Sequence, residues 1–159
     1  MAVHEARMRL ALRQAKLAAE AGEVPVGAVI YNSGELAGQA WNQTRTLKDP
    51  TAHAEIIAIT QAASAAGDWR LTDSILYVTK EPCPMCAGAI VLARIPLVVW
   101  GLSDPQRGGA VSRFQILQTA ELNHRSEVLA GVLEDECAAL IKEFFKKRRL
   151  ENKKDDDLA

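Results

Sequence analysis

SILYVTKEPCPMCAGAIVLARIPLVVWGL, residues 74–102, carries the reading of the fold. The opening SILYVTKE alternates apolar side chains in the manner of a central strand. CPMCAGAIVLARI follows as a helix, with Pro84 tolerated in its first turn because the N–H it lacks would find no helical partner there. PLVVWGL is again β-branched and apolar and reads as the next strand. Strand, helix and strand in immediate succession predict a βαβ unit, with helices layered on a sheet.

The flanking sequence extends this pattern. Residues 4 to about 21 place Leu10, Ala11, Ala15 and Ala18 at helical intervals, with Gly22 as a stop. VPVGAVIY (24–31) reads as a buried strand, NSGE as a turn and LAGQAWN (36–42) as its hairpin partner. Asp49 precedes Pro50 and is biased away from helix, so the alanine-rich helix AHAEIIAITQAASAAG (52–67) begins after the proline. After the βαβ unit come a loop (103–112), a short helix in SRFQILQTAEL, a last strand in SEVLAGVL and a long helix over 134–154. The expected fold is a three-layer α/β/α sandwich, with one hairpin on a largely parallel sheet.

The chain has 159 residues, enough for one domain with a sizeable core. Its net charge is −1 and its pI near 6.3, which gives no general support to polyanion binding. The charge is unevenly placed, however: KEFFKKRR near the C-terminus is basic, and DDD follows it. No apolar run approaches the ~18 residues of a spanning helix. The N-terminal stretch has charges throughout, unlike a secretory signal. The expectation is a cytoplasmic protein without a membrane partner. In that compartment three cysteines point to metal or catalysis, not to disulfides.

Cys83 and Cys86 lie on the first turn of a predicted helix, where the helix N-terminus favours thiolate. A redox pair, half of a structural zinc site and part of a catalytic zinc site all use this spacing. A structural site would need two more strong ligands, and no second cysteine pair exists. TAHAE supplies His53 and Glu55 at the start of another predicted helix. His53, Cys83 and Cys86 make three protein ligands for Zn2+ and leave a fourth position for water. Glu55 then stands beside that water as a base and not as a ligand. His124 reads as structural, and Cys137 as a small buried hydrophobe.

At these residues the chain resembles the cytidine deaminase superfamily, and within it the bacterial tRNA-specific adenosine deaminases. The resemblance spans about residues 5–150, through EVPVGAV, WNQT, DPTAHAE, LYVTKEPCPMCAGAI, GLSDPQRGGAVS, LNHRSEV and GVLEDECAALIKEFFKKRR. It implies a five-stranded mixed sheet in a cytidine deaminase-like fold, a deaminase domain over 1–150 and a flexible charged tail over 151–159. It implies zinc on His53, Cys83 and Cys86, with Glu55 shuttling protons. Asn42 and Asp104 match residues near the target nucleoside, and Val26 and Gly27 match the base pocket. The family also implies a homodimer. Gln106 stands where the family often carries lysine, and Gly109 where it often carries alanine; Arg107 offers a neighbouring cation.

The activity so implied is hydrolytic deamination of adenosine to inosine at the wobble position of a tRNA anticodon loop. A stacked base cannot reach a buried site, so the target must be flipped out. Backbone N–H groups near Ala54 and Cys83 are placed to meet developing charge. Arg107, Arg113, Lys146, Lys147, Arg148 and Arg149 are the expected phosphate contacts, and of Phe144 and Phe145 one is core and the other, assigned to Phe145, stacks on a base. Each has a plainer alternative. The basic helix end suits a helix dipole, Asn42 can end a strand, and Asp104 before Pro105 can start a turn. Two rival functions remain: a deaminase of a free base or nucleoside such as guanine or cytosine, and a non-catalytic zinc module that binds RNA.

Overall fold

The computed structural model describes the backbone of residues 1–158 and the side chains of residues 1–154. The elements run α1 (Ala2–Glu20), β1 (Gly27–Asn32), β2 (Glu35–Trp41), α2 (Ala54–Ala66), β3 (Ser74–Lys80), α3 (Pro84–Leu92), β4 (Leu97–Leu102), a 3-10 turn (Ile116–Gln118), β5 (Glu127–Leu129) and α4 (Glu134–Leu158). Five strands form one sheet in the order β2-β1-β3-β4-β5.

The sheet is evenly mixed and not largely parallel. β1 is antiparallel to both β2 and β3, whereas β3, β4 and β5 run parallel. The reason lies in the connections. Ser33 and Gly34 both take positive φ, the geometry of a tight two-residue hairpin turn, so β2 must reverse on β1. α2 then carries the chain over the sheet to the far side of β1, and α3 makes the parallel crossover from β3 to β4.

Period-two alternation on the strands divides the core. Ala28, Ile30, Leu76, Val78, Val98 and Trp100 face α2 and α3. Val29, Tyr77 and Val99 face the other way, with Met8, Ala11 and Leu12 of α1 and Cys137 of α4 in the same cluster. Helices on both faces make the expected α/β/α sandwich. Gly27 permits the tightest of these contacts: a Cβ there would run into the α1 backbone at Ala11 and Ala15.

Three local expectations change. The helix predicted in SRFQILQTAEL shrinks to the 3-10 turn, because Gln115 sits in the left-handed region and breaks helical propagation. The last strand keeps only Glu127–Leu129, the part that reaches β4. The final helix does not stop at 154: it continues to Leu158, through the segment expected to be a flexible tail, with residue 159 outside the described residues. Lys, Glu and Asn there include good helix formers, and no Gly or Pro interrupts them. No helix is long and apolar enough to cross a membrane among the described residues.

Candidate metal and nucleoside site

Two helices start at one place. His53 and Cys83 are the N-cap residues of α2 and α3, both in extended conformation, with Pro84 opening α3. α3 begins just beyond the carboxyl end of β3, and the loop after β4 covers it. Ligand sites of open α/β sheets gather at such strand ends.

His53, Cys83 and Cys86 form a three-ligand cluster, with ligand atoms within 4.8 Å of one another. His53 Nδ1 lies 3.5 Å from Cys83 Sγ and 3.4 Å from Cys86 Sγ. Zinc bonds of ~2.0–2.3 Å in tetrahedral array put ligand atoms at about this separation, so the donor set fits zinc without rearrangement. Hydrogen bonding from Cys86 pulls the Cys83 thiol down to about 4, against burial, and His53 adds to this. Cys86 is pushed up, first by its bond to Cys83 and then by burial. His53 is raised chiefly by its bond to Cys83, with burial opposing. The Cys83 thiolate thus stands beside His53 and the Cys86 thiol, where a cation would sit.

Glu55, the second residue of α2, is 3% exposed, and its Oε1 has no hydrogen-bond partner. Burial raises its carboxyl above the ordinary 4.5, with Cys86 and the backbone pulling the other way. Asn42 Oδ1 is the second buried acceptor without a partner, on a residue 8% exposed. Its Nδ2 donates to Val24 O at 3.4 Å and its backbone N–H to Val26 O at 3.0 Å. Buried orphan acceptors are uncommon and call for a reason. Here both belong to residues lining one cavity of about 310 Å³, together with His53, Ala54, Cys83, Val24 and Val26. That volume suits a single small ligand.

Several expected site residues therefore meet: Val26, Asn42, His53, Ala54, Glu55, Cys83, Asp104 and Arg107 all line the cavity. Cys86 lies fully buried behind them within ligand distance. Gly27 does not line it. It is buried against α1, and its N–H donates to Thr79 Oγ1 at 3.1 Å, so its role here is packing. Asp104 lines the cavity but its carboxylate is engaged. Lys80 Nζ lies 2.8 Å from Oδ2, while Oδ1 accepts from the backbone of Gln106 and Arg107 at 3.1 and 3.0 Å. The turn reading describes its contacts.

The basic end of α4 also divides. Lys146, Lys147 and Arg149 are exposed. Arg148 is half-buried: its Nη2 donates to Gly22 O at 2.9 Å, and its guanidinium lies 4.8 Å over the Phe144 ring. It ties α4 to the end of α1, so its head is not presented as a phosphate contact. Phe144 is half-buried and Phe145 is 39% exposed, with the two rings edge to face. Arg113 is exposed and outside the cavity lining. His124 Nε2 donates to Ile95 O at 2.8 Å, a structural bond. Cys137 is buried under Gly101, and burial pushes its thiol up to about 12.

Sequence reasoning passed over Thr44, Lys80 and Glu81, which line the same cavity. Lys80 and Glu81 stand directly before the cysteine motif, and TKEPC was the available signal. Glu81 is buried with its carboxylate among hydrogen-bond donors. Burial opposes ionisation, but Ser112 and three backbone N–H groups outweigh it and hold the carboxyl below its ordinary range.

Residues 2–149 match the family model of the MafB19-like deaminases. The tRNA-specific adenosine deaminase of Bacillus subtilis is 45% identical over 153 residues, covering 96% of this chain and 95% of that protein. That of Haemophilus influenzae is 47% identical over 150 residues, covering 94% and 87%. A solved structure from work on A-to-I editing by tRNA:A34 deaminases at the wobble position of transfer RNA superposes with a TM-score of 0.81. It is 42% identical and covers 84% of this chain and 97% of its own. With the three-ligand cluster and the buried glutamate in place, the chain belongs to the deaminase family of the cytidine deaminase fold, in the branch of the tRNA-specific adenosine deaminases.

Proposed function

We propose that this protein deaminates adenosine to inosine at the wobble position of a tRNA anticodon, working in the cytoplasm. One observation carries the reading: a buried Glu55 oxygen without a partner lies beside a three-ligand His53–Cys83–Cys86 cluster in a cavity sized for one nucleoside. The relatives that supply the substrate class match over nearly the full chain.

His53, Cys83 and Cys86 would hold zinc, which supplies an activated water at neutral pH. Glu55 takes the proton released as water adds to C6 of adenine and places it on N1. Glu55 then takes the proton of the new C6 hydroxyl and delivers it to the amine as the C6–N6 bond breaks, so that adenosine and water give inosine and ammonia. A raised carboxyl suits both directions of transfer. Asn42 Oδ1 accepts a hydrogen bond from the nucleoside, which gives that buried oxygen its partner. The cavity admits one base, so the target leaves its stack to enter. Arg107 at the rim, with Lys146, Lys147 and Arg149 on α4, supplies cations for the flanking phosphates, and Phe145 a surface for a neighbouring base.

A homodimer belongs to this reading. The inner face of α3 is core, through Cys86, Ala87, Ile90 and Val91. Its outer face presents Met85, Gly88, Ala89 and Leu92 beside Ile56 and Leu122 in an apolar groove, with Leu92 68% exposed. Such a groove suits a second copy of the chain.

The zinc-loaded protein is assayed for ammonia release from guanine, cytosine, adenosine and tRNA. Release from tRNA, and far less from the free compounds, is expected. Turnover of guanine or cytosine without tRNA would assign it to small-molecule deaminases, and no release from any would leave a binding module.

A further inference from the structure

Glu81 sits at the end of β3, one residue past Lys80, and is 4% exposed. Its carboxylate takes four hydrogen bonds. Oε2 accepts from Asp104 N at 2.9 Å and from the Ser112 hydroxyl, and Oε1 accepts from Val111 N at 2.9 Å and Ser112 N at 2.8 Å. All four donors come from residues 104, 111 and 112, the two ends of one loop. A single buried carboxylate therefore closes that loop on itself.

The loop is also fixed from within and from below. Gly108 N donates to Asp104 O, and Gly109 N to Pro82 O, each at 2.8 Å. A Cβ at Gly109 would overlap the backbone at Cys83–Pro84, and one at Gly108 would lie 2.5 Å from the Glu81 carboxylate. The loop thus lies flat against the start of α3. It delivers Asp104 and Arg107 to the cavity. Glu81 has its carboxylate filled by these donors, and no bond joins it to His53, Cys83 or Cys86, so it is poorly suited to proton transfer.

We propose that Glu81 is a positioning residue that locks the 104–112 loop over the start of α3, and that this lock sets how well the site holds RNA around the target base. This rests on the reading of the substrate as an anticodon stem-loop. Replacing the carboxylate by an amide turns one acceptor into a donor that faces donors, so the loop ends lose their common anchor.

The test uses Glu81→Gln and Ser112→Ala in the zinc-loaded protein, with an anticodon stem-loop RNA as substrate. KM, kcat and zinc per chain are measured. For Glu81→Gln, KM is expected to rise ~10-fold or more, with kcat within ~3-fold of wild type and zinc unchanged. For Ser112→Ala, which removes one donor, KM is expected to rise ~3-fold in the same pattern. An unchanged KM in Glu81→Gln overturns the proposal. So does a fall in kcat alone, which would make Glu81 part of the chemistry, or loss of zinc, which would make it a support of the metal helix. If Glu81→Gln does not fold, Ser112→Ala decides: raised KM with kcat and zinc kept supports the lock, and wild-type kinetics overturn it. Wild-type protein that leaves the stem-loop unmodified overturns the substrate reading first, and the lock with it.

Discussion

At the scale of single residues, the site places charged and polar groups where burial makes them costly. Glu55 is the clearest case, because burial raises its carboxyl and one oxygen has no partner. Two consequences follow from the sign of that shift. Catalysis needs the carboxylate, so kcat/KM should fall on the acid side at a pH above the ordinary 4.5, and a profile measured from pH 4 to 9 shows where. Stability runs the other way. A raised carboxyl gives full stability below the unfolded value and loses it as pH rises through the folded one. Glu55→Gln should therefore raise the melting temperature of the metal-free protein at neutral pH, by ~2–4 °C for each 1 kcal/mol relieved. The gain should vanish below about pH 4.5. The same variant should keep zinc and lose ~10²–10⁴ in kcat. Zinc loss with the activity would instead make Glu55 a ligand. That His53, Cys83, Cys86 and Glu55 meet at one place was legible in the sequence, because metal chemistry restricts which residue types can share such a cluster and the two motifs hold them together. Glu81 was not legible. Its work depends on N–H groups some 23 to 31 positions away in the chain, and nothing local to it signals them.

At the scale of elements, helix starts build the site and one helix end divides into structural and exposed parts. Strand alternation and the hairpin turn were readable locally, since side-chain period and turn chemistry are local properties. The antiparallel pairing of β1 with β3 was not, because it depends on where α2 carries the chain. The helix expected in 112–122 failed for a related reason: its apolar residues serve a loop that folds back under Glu81 and α3, not a helix face. On α4 the cations should separate by experiment. Lys146, Lys147 and Arg149 changed together to Ala should weaken tRNA binding and make the salt dependence shallower by ~2 in log–log slope, with little change in melting temperature. Arg148→Ala should instead cost ~1 kcal/mol of stability, because it removes the bond to Gly22 O, and leave the slope nearly unchanged. Equal slopes for wild type and the triple variant would remove this helix end from the RNA surface.

At the scale of the whole molecule, the sandwich buries one face of α3 and leaves the other apolar and open. Light scattering should give the mass of a dimer, and Leu92→Glu should give a monomer that keeps zinc. A wild-type monomer at micromolar concentration would oppose the dimer. The substrate was readable only through blocks spread along the whole chain, because the zinc chemistry alone serves several bases. The cavity has room for one small ligand and carries Arg107 in its lining, but its size alone does not separate a nucleoside from a free base. The direct measurement is sequencing of tRNA after incubation with the zinc-loaded protein. Adenosine at the first anticodon position should be read as guanosine, the mark of inosine, and only with wild-type Glu55. An unmodified wobble adenosine, with ammonia released from guanine or cytosine in its place, would contradict the account.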